Sequence, residues 1–265
     1  MDDHKRGSRE KVRFGLCTDI KNVLEVEKVG FDYIEGKLNQ FALWTDDEFN
    51  SVLELFKKAN IKMERACLLL PKSMVVIGKE YDRPALLSYL DIAFSRMDEL
   101  DCKLVVFGSG KSRRVPEGGS WQESFKELVT VTKLIGEKAK EHGIFIAIEP
   151  LNRTETNLIN TLCEGAALQS CVDMDNVGLL ADAYHMRCEE EDIGRIALCS
   201  PLLHTHIALK DGRGYPTEKS EEGLEFFSAL KKACYDGTMS IEGKSDKWQE
   251  DSKKALSVLR ELANS

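Results

Sequence analysis

Eight short apolar runs recur along this chain, each followed by a segment of helical patterning, and that alternation is the strongest constraint on its fold. The runs fall at residues 11–18, 31–36, 61–66, 103–107, 144–149, 177–181, 202–208 and 238–241. Helical patterns fill the intervals at 20–29, 45–60, 84–100, 121–142, 158–171, 190–198 and 220–235, with a last one from 246. Alternating strands and helices imply a parallel sheet, and parallel strands buried on both faces read as near-continuous apolar runs. Eight repeats imply a closed (β/α)8 barrel of the TIM type. The main rival, an open doubly wound sheet, would carry a G-x-G-x-x-G turn after its first strand, and none follows Leu16. A length of 265 residues suits one α/β barrel. With no Pro/Gly/Ser-rich linker, a single domain over 1–265 is expected, residues 1–10 forming a disordered extension. Thr45 with Glu48 has capping-box spacing, and Gly143 is placed to stop the fourth long helix.

The ends of the later strands carry the chemistry. The run IFIAIE stops in Glu149 and Pro150, and the next three end in LLADAYH, HTHIALKDGR and MSIEG, which place Asp182, His206 and Glu242 similarly. An ionised carboxylate is costly to bury unless it is paired or bound to a metal. In a parallel barrel all carboxyl ends open on one face, so these four residues converge. Three carboxylates and one imidazole suit a hard or borderline divalent ion, Mn²⁺ foremost, with Mg²⁺ or Co²⁺ as alternatives. His185 faces the same mouth and stands either for support of the ligands or for substrate contact. His204 is assigned to the opposite side of its strand from His206, in a structural role, and Glu35 is also read as structural.

The motifs EPLNRTETNLINT, GLLADAYHM, HTHIA and SIEG, with ACLLLP after strand three and VVFGSG after strand four, carry a resemblance over nearly the whole chain. It resembles the xylose isomerase-like sugar isomerase/epimerase family, and within it the ketose 3-epimerases of the D-tagatose 3-epimerase type. The resemblance implies that Glu149, Asp182, His206 and Glu242 are metal ligands and that Glu155, His185 and Arg213 contact substrate. Arg213 follows His206 by seven residues where the family pattern has six. The implied reaction is proton exchange on a ketose or ketose phosphate through a metal-stabilised cis-enediolate, with Glu149 and Glu242 exchanging the proton. Return of the proton to the adjacent carbon would make the same site an aldose–ketose isomerase. The family also implies a dimer or tetramer.

The loop GSGKSRRVPEGGS holds Lys111, Arg113 and Arg114, read either as a clamp on a substrate anion or as a solvated loop. The solvated reading is favoured, because phosphate sites on barrels usually follow strands seven and eight, where Lys210, Arg213 and Lys244 lie. Residues 68–79 are placed to act as a lid. A net charge of -8 speaks against a nucleic-acid partner. No apolar stretch is long enough for a membrane span, and the charged N-terminal stretch carries no secretory signal, so a cytoplasmic protein with eight scattered reduced cysteines is expected. Two other activities remain open on this fold: a keto-polyol dehydratase or lyase using the same metal, and an apurinic endonuclease-like phosphodiesterase. The latter needs extra His ligands after strands three and four, where this chain has Arg65, Ala66 and Cys67, then Gly108 and Ser109.

Overall fold

In the computed structural model, which describes residues 12–265, the eight apolar runs form one closed sheet of parallel strands in the order β1 to β8. The expected extension, residues 1–10, lies outside the described residues. The strands are β1 Arg13–Thr18, β2 Tyr33–Lys37, β3 Met63–Cys67, β4 Leu104–Phe107, β5 Phe145–Ile148, β6 Val177–Asp182, β7 Leu202–Ile207 and β8 Thr238–Ile241. Pairing of Leu16 in β1 with Ile241 in β8 closes the ring.

Outside the ring run α1 Val23–Val29, α2 Leu38–Phe41, α3 Asp46–Phe56, α4 Arg83–Glu99, α5 Trp121–Glu141, α6 Leu162–Val172, α7 Ala183–Cys188, α8 Glu221–Lys232 and α9 Trp248–Ala263. The Thr45 capping box is present: its side chain accepts from the Glu48 N–H, and Glu48 accepts from the Thr45 N–H at 2.8 Å. Gly143 takes a φ of +64° just past the end of α5, a conformation that costs glycine least.

Three helical expectations change. Residues 158–161 form an irregular loop in which Ile159 takes a φ of +62°, and α6 starts only at Leu162, because Thr161 caps it by accepting from the Glu164 N–H. The segment 190–198 holds a 3-10 turn, Ile193–Ala197, not an α-helix. A short helix, α7, instead begins at the strand end itself, where the Asp182 side chain accepts from the N–H groups of Tyr184 and His185. The four-residue α2 has no counterpart in the sequence reading.

The core has two layers. Alternate strand residues face outward onto the helices, Val105 and Phe107 of β4 among them. Their neighbours Leu104 and Val106 join Ala147, Leu180, Cys17 and Cys67 in a smaller cluster that fills the barrel. That apolar cluster fills one part of the barrel interior, and the converging strand ends open above it at the mouth.

Candidate active site

Each of the four expected ligands sits at or just past the end of its strand. Sheet register aligns them: Asp182 pairs with His206, and His206 pairs with Ser240, two residues before Glu242. The backbone N–H groups of Glu149 and Glu242 still donate along the sheet, to Phe107 and Ile207, which carries the two carboxylates one step beyond the ladder. The outcome is a compact cluster in which one donor atom from each of Glu149, Asp182, His206 and Glu242 lies within 4.8 Å of the others. His206 Nδ1 is its centre, 3.1 Å from Glu149 Oε1, 3.4 Å from Glu242 Oε2 and 3.8 Å from Asp182 Oδ2.

The electrostatics of the cluster follow from crowding three carboxylates around one ring. Burial disfavours charge on His206, but Glu35 first, then Glu242 and Glu149, raise its pKa well above the ordinary histidine value. Burial and the Glu242 charge raise Glu149, against the hydrogen bond from His206. Glu242 goes the other way: burial is outweighed by His206 and Arg213, and its pKa falls to about 2. Asp182 Oδ2 is buried and has no hydrogen-bond partner. An unpartnered carboxylate oxygen aimed at an imidazole nitrogen and two further carboxylates fits a cation, since unpaired buried charge is otherwise expensive. The oxygen-rich donor set therefore fits a hard or borderline divalent ion, held by these four residues.

Behind the cluster lies a group that sequence reasoning misjudged. His204 and His206 are two residues apart, and residues i and i+2 line the same face of a strand, so the assignment of His204 to the opposite side fails. Both rings point into the barrel and share Glu35, whose two oxygens lie 2.9 Å from His204 Nε2 and 3.0 Å from His206 Nε2. All three residues are fully buried. Glu35 stays ionised: burial opposes its charge, and His206 and His204 hold its pKa well below the usual carboxylate range. With Nε2 of His206 committed to Glu35, Nδ1 is the nitrogen presented to the ligand cluster, the arrangement that fixes tautomer and ring orientation at metal sites. The signal available in the sequence was Glu35 on an inward position of a strand, where a carboxylate needs buried partners.

The mouth opens into a cavity of about 360 Å³ bounded by Glu149, Glu242, Glu155, His185 and Arg213, so every expected substrate contact lies on it. His185 Nδ1 accepts the Asn152 N–H at 3.0 Å, which puts the ring proton on Nε2, and that atom is buried without a hydrogen bond, 3.8 Å from Asp182 Oδ2. Its unmet donor favours substrate contact over ligand support. Arg213 lies over the Tyr184 ring at 4.7 Å and spans Glu155, at 3.2 Å, and the carboxylate of Glu242. Its backbone takes a φ of +53°, in the left-handed region. Arg113 departs from both readings of its loop. It is fully buried and donates to the carbonyls of Gly108, at 2.6 Å, and Glu149, at 2.5 Å, so it braces the end of β5.

The chain is similar to several known proteins. A probable ketose 3-epimerase of Synechocystis sp. is 28% identical over 259 residues, covering 89% of this chain and 85% of the relative. An L-ribulose 3-epimerase of Methylomonas sp. is 28% identical over 231 residues, covering 84% of this chain and 77% of the relative. A solved D-allulose 3-epimerase from Methylomonas sp., in complex with D-allulose, superposes with a TM-score of 0.81 at 23% identity, covering 96% of this chain and 98% of that one. At that identity the superposition speaks for the fold alone. Among the described residues no helix is long and apolar enough to cross a membrane. Residues 23–262 match the family model for the xylose isomerase-like TIM barrel, and the chain belongs to that family.

Proposed function

We propose that this protein is a divalent-metal-dependent sugar epimerase that inverts the carbon next to the carbonyl of a ketose. One observation carries the reading: Glu149 and Glu242 approach a common centre from β5 and β8, with Asp182 and His206 between them. A bound divalent ion would supply Lewis acidity, polarising the carbonyl and neighbouring hydroxyl so that the C–H between them becomes acidic.

The side chains do the rest. One carboxylate removes the proton on its side and leaves a cis-enediolate, and the other returns a proton to the opposite side, inverting the centre. The two are poised differently, with Glu149 raised and Glu242 lowered to about 2, which is the pattern of an acid and a base set by environment. Each must keep one oxygen free of the ion to act on the proton. Arg213, bound to Glu242 and Glu155, holds the Glu242 carboxylate in place. The unpaired Nε2–H of His185 is suited to a substrate hydroxyl. Residues 68 and 70 of the loop after β3 line the cavity and keep water from the intermediate.

The relatives named as ketose 3-epimerases support placing the exchange at C3. The test is deuterium incorporation from D₂O: exchange at C3 with formation of the C3 epimer is expected, whereas exchange at C1 with aldose formation would make the enzyme an isomerase.

A further inference from the structure

The cavity has two electrically opposite ends. Its floor is acidic, formed by Glu149 and Glu242. Its rim on the β3–β4 side carries Lys72, Lys111 and Arg114. Among the described residues none of these three side chains has an ion pair or a hydrogen bond, and all three are exposed, in a protein whose net charge is -8. Exposed cations that find no carboxylate in so acidic a chain, and that border one cavity, constitute a local positive field facing the substrate.

Their placement is built into the fold. The loops after β3 and β4 are laced together: Ser112 donates its hydroxyl to the Pro71 carbonyl at 3.1 Å, and the Val76 N–H donates to the Ser112 carbonyl at 2.9 Å. The Leu70 N–H donates to Ser109 Oγ at 3.0 Å. The Pro71–Ser112 contact joins the two loop segments that carry Lys72 and Lys111, each the immediate neighbour of a bonded residue, and both line the cavity. Arg113, buried against the carbonyls of Gly108 and Glu149, pins the β4 loop between the two outward-facing cations Lys111 and Arg114. Val115 next to them is tied to Asn157 in both directions, at 2.8 and 3.2 Å. On the side of the mouth that barrels more often use for phosphate, Lys210 and Lys244 do not line the cavity among the described residues, and Arg213, which does, is already occupied by Glu242 and Glu155.

The geometry points to a substrate with a terminal phosphate: the carbonyl end of a ketose lies on the acidic floor and its phosphate is held by Lys72, Lys111 and Arg114. This rests on the epimerase reading and narrows it to phosphorylated ketoses, and it reverses the expectation that the loop is merely solvated. Charge-assisted contacts of this kind discriminate about ten- to a hundredfold in total.

The test compares ribulose and fructose, each with and without its terminal phosphate, as substrates for the metal-loaded enzyme, with Lys111→Ala/Arg114→Ala alongside the unmodified chain. The expected result is a kcat/KM about ten- to a hundredfold higher for the phosphorylated member of a pair. The double variant should erase most of that preference by raising KM for the phosphorylated sugar, and should leave the free sugar unchanged. Equal or better turnover of the free sugars, with no response to the double variant, would overturn the assignment while leaving the epimerase reading intact. Failure of both members of every pair would sink the epimerase reading instead. In that event calorimetry with inorganic phosphate decides the anion site: binding that weakens in the double variant supports it, and no binding to the unmodified chain refutes it.

Discussion

Glu149 and Glu242 are asked both to hold an ion and to move a proton, so each should be irreplaceable for turnover and dispensable for folding. Glu149→Gln or Glu242→Gln is expected to lower kcat by about 10²–10⁴ with little change in Tm. Near-normal epimerisation by either variant, measured by deuterium exchange, would contradict the two-carboxylate mechanism. Glu35 acts one contact further back, through His206 Nε2 at 3.0 Å. Glu35→Gln should weaken metal binding about 10- to 100-fold, as loss of an orienting carboxylate does, and calorimetric titration would show it. The His206 pKa is raised well above its ordinary value of about 6.5, so the ring carries a proton at neutral pH. An ion taking Nδ1 must displace that proton. Metal affinity should therefore rise with pH, by up to about tenfold per unit, until the raised pKa is passed. Calorimetry in buffers of different ionisation enthalpy should register close to one proton released per ion at neutral pH, and a pH-independent affinity would contradict the role of His206. The four candidate ligands were legible in the sequence because each lies at the end of an apolar strand, where a carboxylate or imidazole has no packing role. Glu35 and His204 were not, because one parity slip sent His204 to the wrong face and left Glu35 without its two partners.

Among the elements, the end of β4 packs directly against the Glu149 carboxylate. A Cβ on Gly108, at the end of β4, would lie 2.2 Å from Glu149 Oε2. Gly108→Ala is therefore expected to displace the Glu149 carboxylate, lowering both metal affinity and turnover at least tenfold, with a stability cost of about 1–3 kcal/mol from overpacking. Wild-type metal affinity in that variant would show that the carboxylate is free to move and is not held by its surroundings. The strands and long helices were readable because period and length distinguish them. The segments around β6 were not: α7 starts on Asp182 itself, whose side chain caps it, so a helix stands in a stretch to which the sequence reading assigned none. Residues 190–198 have helical composition, yet only Ile193–Ala197 adopts a 3-10 turn, between Asp192 as its cap and the chain's re-entry into β7. Arg113 was equally hidden, since a sequence cannot show which of two adjacent arginines turns inward.

For the whole molecule, closure of eight parallel strands accounts for the convergence: residues from 149 to 242 meet within 4.8 Å because every carboxyl end opens on one face. The apolar cluster beneath, with Leu104, Val106, Ala147 and Leu180, fills one part of the barrel interior, and the paired loops after β3 and β4 roof one side of the mouth. The barrel was the most legible property of the sequence, and the cavity above it the least, because its shape depends on loop contacts such as Ser112 to Pro71 that no periodicity encodes. The central claim is metal-dependent proton exchange at one carbon. Proton NMR of the metal-loaded protein in D₂O, with free and phosphorylated ketoses and with EDTA as the control, measures it directly. Deuterium is expected to enter at C3 together with a new C3 epimer, both abolished by EDTA and restored by a divalent ion. Exchange that persists in EDTA, or its absence with every ketose, would contradict it.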